Sequence, residues 1–451
     1  MKLKTHVING VELKYRNSDE LVQFPVEYRE KDSYFRGAWV SLICSDFEAS
    51  DDKEQLKKNL LGVLKYLEDM NMNGIVFHLR TYNNAYYKTK LAPIDKRFGT
   101  YETFEQWDYV PWFIEECHKR GIEFHAWLNP YRIRTGGYPE GTTSEDVANM
   151  YKDYPLNPAS DKNNILMTHG NGAILNPCKD VVQKYIIDVC LEIIKLYDVD
   201  AIHFDDYFYA LMTENNEVLI EPDQVDYVEF IKNNKTDYKE DSVLDKKQWR
   251  RDNVDKFIYD LSQAMRKFNK ENNREVQLGI SPTGIYRNGD GIVTYDENKT
   301  AITNGLNAFG QEHYASYLFC DCKKWIDNEW IDYVVPQTYW GMTHPTAGFC
   351  NIIDWWDKVV KYKKVNLYAG MGIYMAHNER AHSWYNHPLE ASDEVLYCSK
   401  LDYVKGTIIF NFRAFANYCD DENSTPNKGI QKIKNEYWTG KIKTPKTMAN
   451  K

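Results

Sequence analysis

Val199-Asp200-Ala201-Ile202-His203-Phe204-Asp205-Asp206-Tyr207-Phe208-Tyr209 is the stretch that decides the fold. Its first half reads as a buried β-strand. Its second half is two adjacent carboxylates and three aromatics, placed where a strand hands over to a turn. Ionised carboxylates are costly to bury, so packing alone does not explain such an ending. A buried strand that delivers acid groups at its C-terminal end is the unit from which parallel barrels build their sites.

The same unit recurs on either side. Eight apolar, strand-like runs cover residues 37–44, 74–80, 122–130, 201–207, 276–282, 333–340, 365–374 and 406–413. Near-continuous apolar runs fit strands buried on both faces, as in a parallel sheet. Helical segments lie between them. Asp51 with Glu54 reads as a capping box, followed by Leu56, Leu60, Leu64 and Leu67 at helical spacing. Further helices are expected over 107–120, stopped by Gly121, and over 181–196, 248–268 and 352–362. In the fourth of these, Phe257, Leu261 and Met265 share a face. Eight β/α units predict a (β/α)₈ TIM barrel spanning residues 35–420. Extra length falls at 131–173, 208–247, 283–324 and 375–400, all βα loops on the C-terminal face, where barrels place their chemistry. Residues 1–34 read as a short β appendage, with Asn9-Gly10 as a hairpin turn. Residues 421–451 read as a surface helix and a frayed polar tail.

Composition narrows the function. The chain has 451 residues, a net charge of −10, and 43% hydrophobic and 27% charged residues, as an ordinary soluble domain does. With no long basic run, nucleic acid is not an expected partner. No apolar run is long enough for a membrane span, and residues 1–20 lack a signal-like apolar core, so a cytoplasmic location is expected. The nine cysteines are scattered with no CxxC pair and read as reduced thiols. A Gly-rich phosphate loop and a GxSxG elbow are both missing, and no cofactor is expected. Aromatics are abundant: 34 Tyr, 19 Phe and 12 Trp.

Side chains two apart share a strand face. His78 and Arg80 then pair on the second strand, His125, Trp127 and Asn129 on the third, and His203, Asp205 and Tyr207 on the fourth. The fifth ends on Ser281, the sixth on Gln337 and Tyr339, the seventh on Tyr374, and the eighth on Asn411 and Arg413. A structural barrel would fill these positions with Val, Ile and Leu. A ring of polar strand ends predicts a site at the C-terminal mouth. Each residue also has a structural reading: Arg80 as a buried ion-pair partner of Asp205, the three histidines as satisfied core groups. Asp206 reaches the mouth only where the strand ends or bulges. Three histidines and an aspartate could hold zinc, but no HxH or HxxEH spacing occurs, and no metal is expected. Carboxylates beside aromatic rings suit acid/base work on a carbohydrate.

The motifs also resemble a known family. Arg36-Gly37-Ala38-Trp39, His78-Leu79-Arg80, His125-Ala126-Trp127-Leu128-Asn129-Pro130-Tyr131-Arg132, Phe204-Asp205-Asp206-Tyr207-Phe208-Tyr209, Ser281-Pro282-Thr283-Gly284-Ile285-Tyr286-Arg287-Asn288, Pro336-Gln337-Thr338-Tyr339-Trp340 and Trp355-Trp356 fall in its order. Over residues 36–413 the chain is similar to the glycosyl hydrolase-like 10 family of bacterial TIM-barrel proteins. The resemblance implies a glycoside hydrolase acting on bacterial cell-wall glycan strands, notably peptidoglycan stripped of its stem peptides. The chain departs from the family pattern at Leu175-Asn176-Pro177-Cys178, where Leu-Asp-Pro-Gly is usual, at His78, where Gln is usual, and in lacking the export signal of many members. On this reading Asp205 is the nucleophile or general base and Asp206 its partner. Glu379, Asp321, Asp290 and Glu312 are other candidates for the second carboxylate. Arg80, His125 and Asn129 would hold the sugar or orient the acids, with Arg80 or His125 hydrogen-bonded to Asp205. Tyr131, Tyr207, Tyr339, Trp340 and Tyr374 would supply stacking faces and hydroxyls, and Arg132, Asn288 and Gln337 further substrate contacts. The expected partner is an oligosaccharide or polysaccharide. The alternatives are a non-catalytic glycan-binding barrel and a metal-dependent TIM-barrel hydrolase.

Overall fold

In the computed structural model, which describes residues 1–446, eight parallel strands close on themselves. They are β1 (Phe35–Val40), β2 (Gly74–Arg80), β3 (Glu123–Leu128), β4 (Ala201–Phe204), β5 (Gln277–Ile280), β6 in two pieces (Tyr333–Val334 and Gln337–Thr338), β7 (Asn366–Met371) and β8 (Val404–Ile409). Each pairs with the next, and β8 pairs with β1 through Gly406–Phe35 to Ile409–Ala38. The break in β6 falls at Pro336, which has no N–H to give the ladder. Helices α1 (Lys53–Asp69), α2 (Tyr109–Lys119), α3 (Asp180–Leu196), α4 (Val243–Asn272), α5 (Cys322–Asp327), α6 (Phe349–Val360), α7 (Glu390–Lys400) and α8 (Phe412–Asp420) follow the eight strands in order. The chain is a (β/α)₈ TIM barrel.

Several boundaries differ from expectation. Asp52, not Asp51, caps α1 by accepting from the Gln55 N–H at 2.8 Å. Helix α4 begins at Val243 because the Ser242 hydroxyl caps it through the Asp245 N–H. Helix α5 is six residues long, too short for periodicity to reveal. Strand β1 stops at Val40, and Ser41 starts a tight turn over Leu42–Cys44 that places Ile43 and Cys44 at the mouth.

The barrel interior is aromatic. Phe35, Trp39, Trp127, Tyr333 and Tyr368 form a core separate from the one between strands and helices. Glycines make room for the rings. A Cβ at Gly74 would lie 2.1 Å from the Phe35 ring, and one at Gly279 would lie 1.9 Å from Tyr333. The three barrel histidines belong to this packing. The Tyr333 hydroxyl sits 2.8 Å from His125 Nδ1 and 3.0 Å from His203 Nδ1, and Trp39 Nε1 donates to His203 Nε2 at 3.1 Å. His78 stacks on Trp127 with ring centroids 3.6 Å apart. Burial pushes His78 and His203 well below the ordinary histidine range, so both are neutral. These three histidines do not come together as a metal-ligand set.

At the N-terminus, Val7–Ile8 and Val11–Glu12 pair across Asn9-Gly10, whose φ of 52° and 82° fit a type I′ turn. This segment packs on α6 and α7. Tyr15 donates to Asp354 at 2.7 Å, and His6 meets Asp393 at 2.8 Å. The C-terminal stretch does not fray as its polarity suggests. Trp438 is fully buried, and Arg36 and Asn73 donate to the carbonyls of Gly440 and Ile442 at 2.8 and 3.0 Å. It seals the end of the barrel opposite the mouth. The last residues of the polar tail, 447–451, lie outside the described residues. Among the described residues, no helix is long and apolar enough to cross a membrane.

Candidate active site

Strand β4 ends at Phe204, three residues earlier than its apolar run suggests. Asp205 and Asp206 are therefore free of strand alternation. Asp205 Oδ1 accepts from the Asp206 N–H at 2.8 Å and from Gln337 Nε2 at 3.1 Å. The same Gln337 nitrogen donates to the Ser281 carbonyl at 3.0 Å. Gln337 reaches this position because β6 restarts there after its break. Three barrel elements thus converge on one carboxylate.

Asp205 opens into a cleft of about 310 Å³ at the C-terminal mouth, lined by Trp39, Trp127, Arg132, Tyr207, Ser281, Gln337, Tyr339, Tyr374 and Phe410, with Ile43 and Cys44. An adjoining hollow of about 220 Å³ shares Gln337, Tyr339 and Tyr374 and adds Thr283, Gln311, Trp340 and Met375. The two hollows share a wall and together make up the groove. Among the described residues, Asp205 is the one carboxylate in its lining.

Asp206 lies behind Asp205 and is 6% exposed. Burial pushes its carboxyl well above the usual range, and the neighbouring Asp205 raises it further, while Arg132 opposes the shift. Two carboxylates in contact repel. A proton on Asp206 relieves that repulsion. The Arg132 guanidinium also stacks 3.4 Å above the ring of Tyr207, which is 40% exposed. Arg132 thereby fixes an aromatic face at the rim and supplies positive charge to the acid pair. Tyr339 stacks on Phe410 at 5.3 Å and meets Tyr374 edge-on at 5.7 Å. Burial first, then the charge of Asp205, holds the Tyr339 hydroxyl far above the ordinary phenol range, so it remains a hydrogen-bond donor.

The structure brings together Asp205, Asp206, Arg132, Tyr207, Gln337, Tyr339, Trp340 and Tyr374. Five other expected residues lie outside the groove lining. Pairing of β2 with β3 shifts register between His78 and Arg80, which turns Arg80 out of the mouth. Its guanidinium donates to the carbonyls of Asn129 and Pro130 at 2.7 and 3.0 Å and to Asn83 at 2.6 Å, and it lies over Tyr185 of α3. His125 sits deeper in the barrel, on Tyr333 and Glu123. Neither Arg80 nor His125 hydrogen-bonds Asp205. Asn129 is fully buried and donates to the Thr81 carbonyl at 2.9 Å. Tyr131 packs on Phe257 of α4, between barrel and helices. Asn288 braces its own loop by exchanging hydrogen bonds with Gly310.

The other carboxylates fare no better. Asp321 caps α5, Asp290 pairs with Asn304, Glu312 accepts from the Asn288 N–H, and Glu379 is exposed. None lines the groove. Asn176 donates to Asp226 at 2.8 Å, away from the groove, so its departure from the family pattern acts on loop packing. Trp127 and Ser281 line the groove as their strand-end positions predict, whereas Trp39, read only as part of a strand, also lines it. Nothing in its apolar context separates a groove floor from a core. Gln311 and Met375 come from long loops whose sequence carries no positional signal.

Residues 34–385 match the sequence profile described as Glycosyl hydrolase-like 10. The chain is similar to the glycosyl hydrolase YngK of Bacillus subtilis strain 168, with 28% identity over 388 residues covering 85% of this chain and 69% of that protein. It is also similar to the glycosyl hydrolase DigH of Escherichia coli K12, with 25% identity over 362 residues covering 78% of this chain and 75% of that one.

Proposed function

The chain belongs to the glycosyl hydrolase-like 10 family and is a glycoside hydrolase; on that premise we propose that it cleaves an amino-sugar-containing glycan of the bacterial cell-wall type, with Asp205 and Asp206 as one acid/base unit. The observation that carries this reading is that Asp205 is the one carboxylate among the described residues lining the groove, with Asp206 next to it buried and held protonated by that burial. Mechanisms with two independent carboxylates place them about 5–5.5 Å apart for retention or about 6.5–9.5 Å apart for inversion, on opposite sides of the scissile bond. Two carboxyls on adjacent residues, one buried behind the other, do not flank a bond in that way. They suit a mechanism in which the protein supplies the acid and the substrate supplies the nucleophile.

In that mechanism the proton held by the pair passes through Asp205 to the glycosidic oxygen, which leaves with the bonding electrons. The 2-acetamido oxygen of the sugar closes on the anomeric carbon. Water then opens the cyclic intermediate, returning its proton to the pair. Gln337 keeps Asp205 aimed into the groove. Tyr207 and Trp340 offer faces for sugar rings on either side, and Tyr339 a hydroxyl.

Reducing-end release from peptide-free, fully N-acetylated cell-wall glycan strands tests the proposal, with chemically de-N-acetylated strands as the comparison. The expected result is turnover of the first and a loss of at least about a hundredfold on the second, the scale of a missing catalytic group. Equal turnover of both would assign the nucleophile to the protein or to water.

A further inference from the structure

We infer that the loop roofing the groove is built around a zinc site formed by His313, Cys320 and Cys322. Their ligand atoms all lie within 4.8 Å of one another, and all three residues are fully buried. Bonds of about 2.3 Å to sulfur and about 2.0–2.1 Å to nitrogen place tetrahedral ligands roughly 3.5–3.8 Å apart, so modest rotation of the side chains closes this set on one ion. Two thiolates and an imidazole match the soft and borderline donors that zinc selects.

Local structure orients each ligand. His313 Nδ1 lies 3.0 Å from the Thr283 carbonyl and 3.1 Å from its hydroxyl. A carbonyl only accepts, so Nδ1 carries the ring proton and the Nε2 lone pair is free. Metal-binding histidines are oriented in this way. Nε2 points at Cys322 Sγ, 3.0 Å away. Residues two apart in an extended chain face the same way, and the chain, having turned at Phe319 with φ of 52°, enters α5 only at Cys322. Both sulfurs therefore face the histidine. The Cys320 N–H donates to the His313 carbonyl at 2.9 Å, closing the loop between first and second ligand. A loop closed by hydrogen bonds alone would not require three buried ligand groups to converge.

The ion would tie the loop between β5 and α5 to the start of β5's own exit. Thr283, which holds the histidine, and Gln311, two residues before it, both line the groove. The site is thus a staple for one wall of the groove, separate from the acid pair.

The test uses the whole chain, stripped with a chelator and dialysed, then given zinc alone or cobalt(II) alone. The expected result is retention of about one zinc per chain after a second dialysis and a rise in melting temperature of about 2 °C or more. Cobalt should give a thiolate-to-cobalt charge-transfer band in the near ultraviolet. Cys322→Ser and His313→Ala should lose zinc and band together, while Cys419→Ser keeps both. No retained zinc in the wild-type chain, or cobalt binding without a thiolate band, would overturn the assignment. Either result would leave a Cys322 thiol donating to His313.

Discussion

Gln337 Nε2 donates to Asp205 Oδ1 at 3.1 Å and, with its second hydrogen, to the Ser281 carbonyl at 3.0 Å. The amide is fixed by the end of β5 and holds the carboxylate from the next strand but one. Gln337→Ala removes a hydrogen bond to an acidic group, worth about 1.5–3 kcal/mol in general. Steady-state kinetics should show kcat reduced about 10- to 100-fold, with the melting temperature lower by a few degrees. An unchanged kcat would show that Asp205 is aimed by its own backbone alone.

Arg132 stacks on Tyr207 and opposes the upward shift of Asp206. Arg132→Gln removes a positive charge from the acid pair, so the Asp206 carboxyl rises further. The alkaline limb of the kcat/KM profile should move to higher pH. Tyr207→Ala should instead raise KM several-fold with that limb in place, because only a stacking face is lost.

Arg80 is a structural anchor in this account. Arg80→Met leaves the Asn129 and Pro130 carbonyls and Asn83 Oδ1 without their buried donor. Unsatisfied buried groups cost about 1–3 kcal/mol each. Denaturant titration should show a loss of at least about 3 kcal/mol, while kcat of the folded fraction at low temperature stays within a few-fold of wild type. A selective collapse of kcat at unchanged stability would return Arg80 to the site.

Glu390 on α7 is fully buried and accepts from the Met342 N–H at 2.7 Å. Burial pushes its carboxyl up to about 7, against about 4.3 in an unfolded chain. The folded chain therefore binds this proton more tightly. The associated stability is fully present below about pH 4 and is lost as pH rises toward 7. Glu390→Gln carries no such proton. Its unfolding free energy relative to wild type should climb between pH 5 and pH 8, approaching about 3 kcal/mol for a displacement of this size. A pH-independent difference would mean that the carboxyl titrates normally.

The barrel was legible because eight buried strands in parallel leave a plain signature, apolar runs with no alternation, each trailed by a helix. The mouth was legible only in part. Asp205, Gln337, Tyr339 and Tyr374 follow from strand alternation, since each sits at or just past a regular strand end. Alternation misplaced Arg80, because one register shift in β2 turns it outward. It misjudged His125, Trp127 and Asn129 as a single set. They share a face but occupy different depths, and only Trp127 reaches the groove. The His313, Cys320 and Cys322 cluster escaped the sequence because no CxxC or HxH spacing marks it, and a loop turn brings the histidine to the sulfurs.

Asp205→Asn tests the central claim most directly. The amide keeps the shape of the side chain, and its oxygen can still accept from the Asp206 N–H and Gln337. The folded state should survive, as thermal melting would show. Reducing-end release from N-acetylated cell-wall glycan strands, measured against the wild-type chain, is the decisive reading. The account expects a fall in kcat of at least about a hundredfold, with strand binding retained. Wild-type turnover by the folded Asn variant would contradict it and make Asp205 a structural residue.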